Sequence, residues 1–312
     1  MCTFASSNQN ERNMKKEKEI KVEMFRVEGD LNPFIEVYYV DKDAVEHTGF
    51  MMLDSGSNVN FLSNSADRYI GELCRYEDSE LEITDCVGEV VIADNVHFSF
   101  AFGGKQFSED FGIKKDYHLG TIDNVPIIGL LGNEFMQKHR LAIDYSTFTV
   151  HTSNVSHANL CSSDCEFMFP MEIGLKNYGV PALAIHHEDK DVAVIADTGS
   201  TANVVSTDCI SQCHLNCEYT GENNALNGLK GRSDVVSANV RFQLLTLRAN
   251  GTEGVLFHDS FFVINHPILE GYVCEQDCQP LEGLIGSPFM AKQGWVLDFA
   301  QKVIYKRKCQ TF

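Results

Sequence analysis

One stretch of this chain occurs twice. Leu53-Asp54-Ser55-Gly56-Ser57-Asn58-Val59-Asn60-Phe61-Leu62-Ser63 recurs 143 positions later as Ala196-Asp197-Thr198-Gly199-Ser200-Thr201-Ala202-Asn203-Val204-Val205-Ser206. The same spacing links Cys74 to Cys217, Tyr76 to Tyr219 and Gly88 to Gly231. One residue further on, Asn95-Val96-His97-Phe98 answers to Asn239-Val240-Arg241-Phe242. A later block, Gly129-Leu130-Leu131-Gly132-Asn133-Glu134-Phe135-Met136, recurs 154 positions on as Gly283-Leu284-Ile285-Gly286-Ser287-Pro288-Phe289-Met290. That match runs without a gap to Asp144-Tyr145 and Asp298-Phe299. Blocks in the same order in both halves mark a duplication, so one structural plan is built twice.

The boundary between the copies falls in His151-Thr152-Ser153-Asn154-Val155-Ser156-His157-Ala158-Asn159, a polar stretch with the composition of a linker. This predicts a tail at 1–20, a first lobe at 21–152, a linker at 153–159 and a second lobe at 160–312. The chain of 312 residues is 44% hydrophobic and 22% charged, enough for a sizeable core in each half. With 25 basic against 44 acidic side chains its net charge is −19, which disfavours nucleic acid and anionic membrane surfaces as partners. No apolar run approaches the roughly 18 residues that span a bilayer. Residues 1–20 hold no unbroken apolar stretch of the kind that directs secretion, so the expected location is cytoplasmic.

Within each half most segments read as strand. Phe34-Ile35-Glu36-Val37-Tyr38-Tyr39-Val40 is β-branched and aromatic, and Val96 to Phe102 alternates with period 2. The short apolar runs Phe50-Met51-Met52-Leu53 and Val192-Ala193-Val194-Ile195-Ala196 suit buried strands leading into the two Asp turns. Ser65 to Cys74 and Thr207 to Cys217 read as short helices, as do Asn133 to His139 and Pro288 to Gln293 after their glycines.

Two Asp-Ser/Thr-Gly-Ser turns, one per half, point to paired carboxylates. Asp54 and Asp197 each follow a buried strand, so each is held at a strand end. Gly56 and Gly199 let the backbone turn sharply and approach a neighbour closely. Ser55 and Thr198 place a hydroxyl beside each carboxylate, able to bond across a pseudo-twofold axis. Ser57 and Ser200 are expected to donate to a carboxylate oxygen, which would favour its charged form. Two neighbouring carboxylates share one proton, so one can act as base on water while the other polarises a carbonyl. Seen once, such a turn is ordinary Asp capping chemistry; two in register after matching strands are not.

On these residues the sequence resembles the pepsin and retroviral-protease superfamily of aspartic endopeptidases. The resemblance rests on Met52-Leu53-Asp54-Ser55-Gly56-Ser57, Ile195-Ala196-Asp197-Thr198-Gly199-Ser200 and the segments Leu130-Leu131-Gly132 and Leu284-Ile285-Gly286, and it covers about residues 22–307. It implies a mainly β, bilobal acid-protease fold of two barrel-like lobes with short helices. Gly132 and Gly286 would then lie in segments packed under the catalytic loops. Flaps would lie around Gly88 and, by the repeat, Gly231. The candidate flap Ser79 to Ile92 lacks the Tyr usual in pepsin-like flaps. The short lobes look more like two fused retroviral-type units.

Eleven cysteines remain. Cys209, Cys213 and Cys217 would share one helix face if the helix ran through all three, and Cys274 with Cys278 repeats the spacing. Buried thiols, disulfides and a zinc site are all compatible with this pattern. The leading reading is a monomeric aspartic endopeptidase, a pseudo-dimer acting on peptide or unfolded protein with no metal or cofactor. A non-catalytic peptide-binding protein of the same fold and a cysteine-rich metal or redox protein are the alternatives.

Overall fold

The computed structural model describes residues 19–41, 43–63, 75–84, 90–113, 118–154, 165–173, 179–187, 190–227, 232–248, 251–265 and 280–308. The first-half sheet has nine strands. Its order runs Phe25–Val27, Asp30–Val40, Glu46–Asp54, Val125–Gly132, Phe61–Leu62, Lys105–Ile113, Val90–Phe102 and Arg75–Thr84, with Thr121–Ile122 attached to Val125–Gly132. The second-half sheet has seven, in the order Ala182–His187, Lys190–Asp197, Gly283–Gly286, Val204–Ser206, Gly251–Ile264, Arg232–Arg248 and Asn216–Asn227. From the strand before each Asp-bearing strand onward, the two paths are the same. Each sheet curls until distant strands meet, Tyr38 pairing with Ala101 in one and Ile185 with Leu244 in the other. The molecule is therefore mainly β, with two barrel-like lobes.

A third sheet joins the halves. Its six strands run Lys21–Glu23, Thr149–Thr152, Leu141–Asp144, Trp295–Asp298, Val303–Arg307 and Cys165–Pro170. The pseudo-twofold axis passes through its centre, because Ile143 pairs with its own repeat-mate Leu297, flanked by Ala142 with Asp298 and Asp144 with Val296. Ser153, which composition alone places in a linker, is buried here. Its N–H donates to Arg140 O at 2.7 Å and its hydroxyl to Asp298 Oδ2 at 2.5 Å. Residues 155–159 of that stretch lie outside the described residues.

The period-2 pattern does what it predicts: Val96, Phe98, Phe100 and Phe102 are buried while Ser99 is exposed. The rings of Phe98 and Phe100 start an aromatic core with Phe107, Phe111 and Phe135. The second lobe repeats it with Phe242, Phe257, Phe261 and Phe289, and adds Trp295. Three short helices occur among the described residues, Asn133–Lys138, Thr207–Gln212 and Ser287–Gln293. The last starts after Gly286 with Pro288 in its first turn and ends on Gly294 in the left-handed conformation. No helix among the described residues is long and apolar enough to cross a membrane.

The helix expected over Thr207 to Cys217 is shorter than its sequence suggests. It stops at Gln212, His214 takes φ of +44°, and Cys217 lies in the strand Asn216–Asn227. Cys209 and Cys213 are buried, but Cys217 does not share their helix face. A reversal at a non-glycine residue was not legible from the Cys spacing. Among the described cysteines there is no disulfide. Ser65 to Cys74, Cys274 and Cys278 lie outside the described residues.

Phe289 is buried against Phe242, Phe257 and Trp295. Phe289→Ala should lower the unfolding free energy by about 3–5 kcal/mol. The check is a lower urea midpoint with an unchanged slope.

Candidate active site

Asp54 ends the strand Glu46–Asp54 and Asp197 ends Lys190–Asp197. Beside each runs a parallel strand closing on glycine, with Gly132 paired to Asp54 and Gly286 to Asp197. The lead-in residues Met51, Leu53, Val194 and Ala196 are buried, so both carboxylates emerge from rigid, core-packed backbone. The turn that follows wraps each one. Gly56 N–H donates to Asp54 Oδ1 at 3.0 Å and Gly199 N–H to Asp197 Oδ1 at 2.8 Å.

The two turns face each other. A Cβ placed on Gly56 would lie 2.6 Å from Asp197 Cγ, and one on Gly199 would lie 2.5 Å from Asp54 Cγ. Each carboxylate therefore occupies the space where its partner turn lacks a side chain. Only glycine permits this approach.

The hydroxyls beside them lock the pair. Ser55 N–H donates to Thr198 Oγ1 at 2.9 Å, and Thr198 N–H donates to Ser55 Oγ at 2.9 Å. Each hydroxyl then donates onward into the opposite lobe, Ser55 Oγ to Ala196 O at 2.5 Å and Thr198 Oγ1 to Leu53 O at 2.6 Å. Both side chains are fully buried, so all four bonds form away from water.

Gly132 and Gly286 lie directly under these turns. A Cβ on either would sit 2.4 Å from a backbone oxygen, Val59 O or Ala202 O respectively. Their N–H groups are held by two asparagines that sequence reasoning did not assign: Gly132 N–H donates to Asn60 Oδ1 at 3.0 Å and Gly286 N–H to Asn203 Oδ1 at 2.9 Å. The signal was present, since this Asn closes both copies of the motif. Ser287 is a second such residue. Its hydroxyl donates to Thr198 O at 2.7 Å and lies 2.5 Å from the buried Tyr145 hydroxyl. Asn133 reaches across to Gly179 O through its Nδ2.

Ser57 and Ser200 do not do what the motif suggested. Ser57 Oγ donates to Val59 O at 2.8 Å and Ser200 Oγ to Ala202 O at 2.9 Å. A hydroxyl has one proton, and here it closes a local turn, so it is not spent on a carboxylate. These residues bear on the pair only through their backbone N–H groups.

Burial raises the Asp54 carboxyl well above the usual carboxylate range, and the Asp197 charge raises it further. Burial also raises Asp197, but the N–H groups around it work against the rise. Two charges so close together and so buried disfavour one another.

A hairpin with the same interruption also occurs in both halves. In Arg75–Thr84 pairing breaks after Tyr76–Val96 and resumes at Glu80–Asp94. In Asn216–Asn227 it breaks after Tyr219–Ala238 and resumes at Asn223–Val236. Gly88 and Gly231, the candidate flap glycines, lie outside the described residues.

No protein-family model and no curated protein matches the chain. Among solved structures it is similar to the crystal structure of an aspartic proteinase from Irpex lacteus. The TM-score is 0.51 at 12% identity, covering 92% of this chain and 96% of that one. The fold is aspartic-proteinase-like. At this identity the likeness is one of fold.

Two measurements follow from the geometry. Thr198→Val strips the acceptor from the buried Ser55 N–H and the donor from Leu53 O, and should cost about 1–3 kcal/mol in urea unfolding. The aspartate pair binds its proton more tightly when folded than unfolded. Stability should therefore fall as pH rises from about 4, the unfolded value, to the raised folded value. Asp54→Asn should flatten that decline, seen as similar melting temperatures across the window.

Proposed function

We propose that this chain is an aspartic-type endopeptidase that hydrolyses peptide bonds with water activated between Asp54 and Asp197. The observation that carries this reading is the apposition of the two carboxylates, each seated against the glycine of the other lobe's turn. The ionised member takes a proton from water as its oxygen attacks the scissile carbonyl carbon. The protonated member donates to the carbonyl oxygen. In the tetrahedral intermediate a proton passes to the nitrogen, the C–N bond breaks, and the shared proton returns to the pair.

The substrate in this reading is an extended or unfolded polypeptide, bound largely through its backbone. One chain supplies both aspartates, so a monomer is sufficient. The net charge of −19 argues against nucleic acid and membrane partners.

Denatured casein should be cleaved somewhere between pH 3 and 8, with inhibition by pepstatin. Asp54→Asn and Asp197→Asn should each abolish cleavage with the fold retained by circular dichroism, because an amide cannot exchange the proton. Cleavage by both variants at the wild-type rate would overturn the mechanism. A wild-type chain that binds peptide but cleaves nothing in that range would favour the non-catalytic reading.

A further inference from the structure

The outer face of the first lobe carries a chain of polar side chains that the aspartate pair does not use. It lies on the hairpin of Val90–Phe102 and Lys105–Ile113, where His97 stands opposite Asp110 and Ser99 opposite Ser108. The alternation of these strands sends Val96, Phe98 and Phe100 into the core, so His97 and Ser99 face outward. His97 Nδ1 lies 2.7 Å from Asp110 Oδ1, and His97 Nε2 lies 2.7 Å from Ser108 Oγ. Ser99 Oγ lies 2.8 Å from Ser108 Oγ.

Charge and valence assign the protons. The Asp110 carboxylate can only accept, so His97 Nδ1 carries a hydrogen and donates to it. With the ring neutral, Nε2 is an acceptor, and the Ser108 O–H donates to it. That uses the one proton of Ser108, so the Ser99 O–H donates to Ser108 Oγ. Carboxylate, imidazole and hydroxyl thus stand in the order and at the distances of an activated serine, which is defined by geometry and roles, not by sequence position. The strand that carries Asp110 is anchored: Asn60 Nδ2 donates to Asp110 O at 3.1 Å, and Gly112 N–H to Asn60 O at 2.9 Å.

The duplicated fold does not require this arrangement. Asn95 matches Asn239 in the repeat, so His97 answers to Arg241 and Ser99 to Gln243. Their cross-strand partners are His258 and Leu256. At these places the second lobe has neither carboxylate nor hydroxyl. The face is also open to reagents. The His97 side chain is 42% exposed and that of Asp110 63%, and Ser99 and Ser108 are exposed.

We propose that Ser108 is a second nucleophile, activated by His97 and Asp110, that accepts acyl groups from small activated esters. Ser108 Oγ bonds to the acyl carbon as its proton passes to His97 Nε2, with Nδ1–H still held by Asp110. The tetrahedral intermediate collapses, the ester C–O bond breaks, and the proton leaves with the alcohol. The Ser99 O–H, released as Ser108 Oγ becomes part of an ester, is placed to donate to the developing oxyanion. Water then attacks the acyl-serine, His97 takes its proton, and Ser108 Oγ leaves with that proton. The sum is ester plus water to acid plus alcohol. The open sheet face suits small acyl groups, and the reaction uses neither Asp54 nor Asp197.

The test is labelling of the full-length chain with an alkyl fluorophosphonate, read by peptide mass spectrometry. Ser108 Oγ displaces fluoride from phosphorus while His97 takes the proton. Ser108 should carry the adduct, and pepstatin should leave the rate unchanged. His97→Gln should slow labelling about a hundredfold, the low end of what a positioned base contributes. Asp110→Asn should slow it in part. Turnover of p-nitrophenyl acetate should follow the same order, fall in Ser99→Ala and be lost in Ser108→Ala. These side chains face solvent from the strands, so the variants should keep the circular dichroism of the wild type. Labelling of Ser108 at one rate in the wild-type and His97→Gln chains, or adducts spread evenly over the exposed serines, would overturn the proposal whether or not the chain cleaves polypeptide. If Ser108 labels as described but the wild-type chain cleaves no casein, the endopeptidase reading falls and this site stands.

Discussion

The exchange of hydrogen bonds between Ser55 and Thr198 is the constraint on which the site depends. Each hydroxyl accepts an N–H from the other lobe and donates to a carbonyl of the other lobe. The arrangement satisfies every polar atom it buries, and so it tolerates complete exclusion of water. It also fixes the spacing of the turns, and with it the distance between Asp54 and Asp197. Alanine or valine at either place would leave buried backbone groups unpaired. Serine and threonine serve equally, because the bonds need only a hydroxyl on Cβ.

The six-stranded sheet is a second tie on the same pseudo-twofold relation. Ile143 and Leu297 pair with each other in that sheet, as Ser55 and Thr198 do at the turns. Two lobes joined at one point could rotate; joined at two they hold a geometry. Parallel pairing of Gly132 with Asp54 and Gly286 with Asp197 carries that rigidity to the carboxylates. Asparagines at 60 and 203 then fasten the glycine strands from beneath. One contact at the turns breaks this symmetry: Asn32 Nδ2 donates across the lobes to Gly199 O at 3.0 Å, and the equivalent place in the second lobe holds Val180.

Much of this was legible in the sequence. Duplication followed from ordered blocks at constant spacing, and strands from apolar runs and period-2 alternation. The pairing of Asp54 with Asp197 followed from the repeat, because two equivalent turns in a pseudo-symmetric fold must meet near the axis. The cross-lobe hydroxyls were legible for the same reason. These features depend on residue type and order, which physical chemistry ties to local conformation and, through the repeat, to symmetry.

Where a side chain spends its one proton, and which distant residue it meets, were decided by the tertiary structure. Ser57 and Ser200 turned to local carbonyls because hydroxyl direction depends on the nearest acceptor in space. Cys217 does not share a face with Cys209 and Cys213, because the helix ends at Gln212 and Cys217 joins the strand Asn216–Asn227. Ser153 entered the core although its neighbours looked like a linker. Asn32 gave no local sign of its reach, since its partner Gly199 lies 167 residues away and only the meeting of two lobes brings them together. Sequence determined the plan and its symmetry; folding in three dimensions determined the contacts that break it.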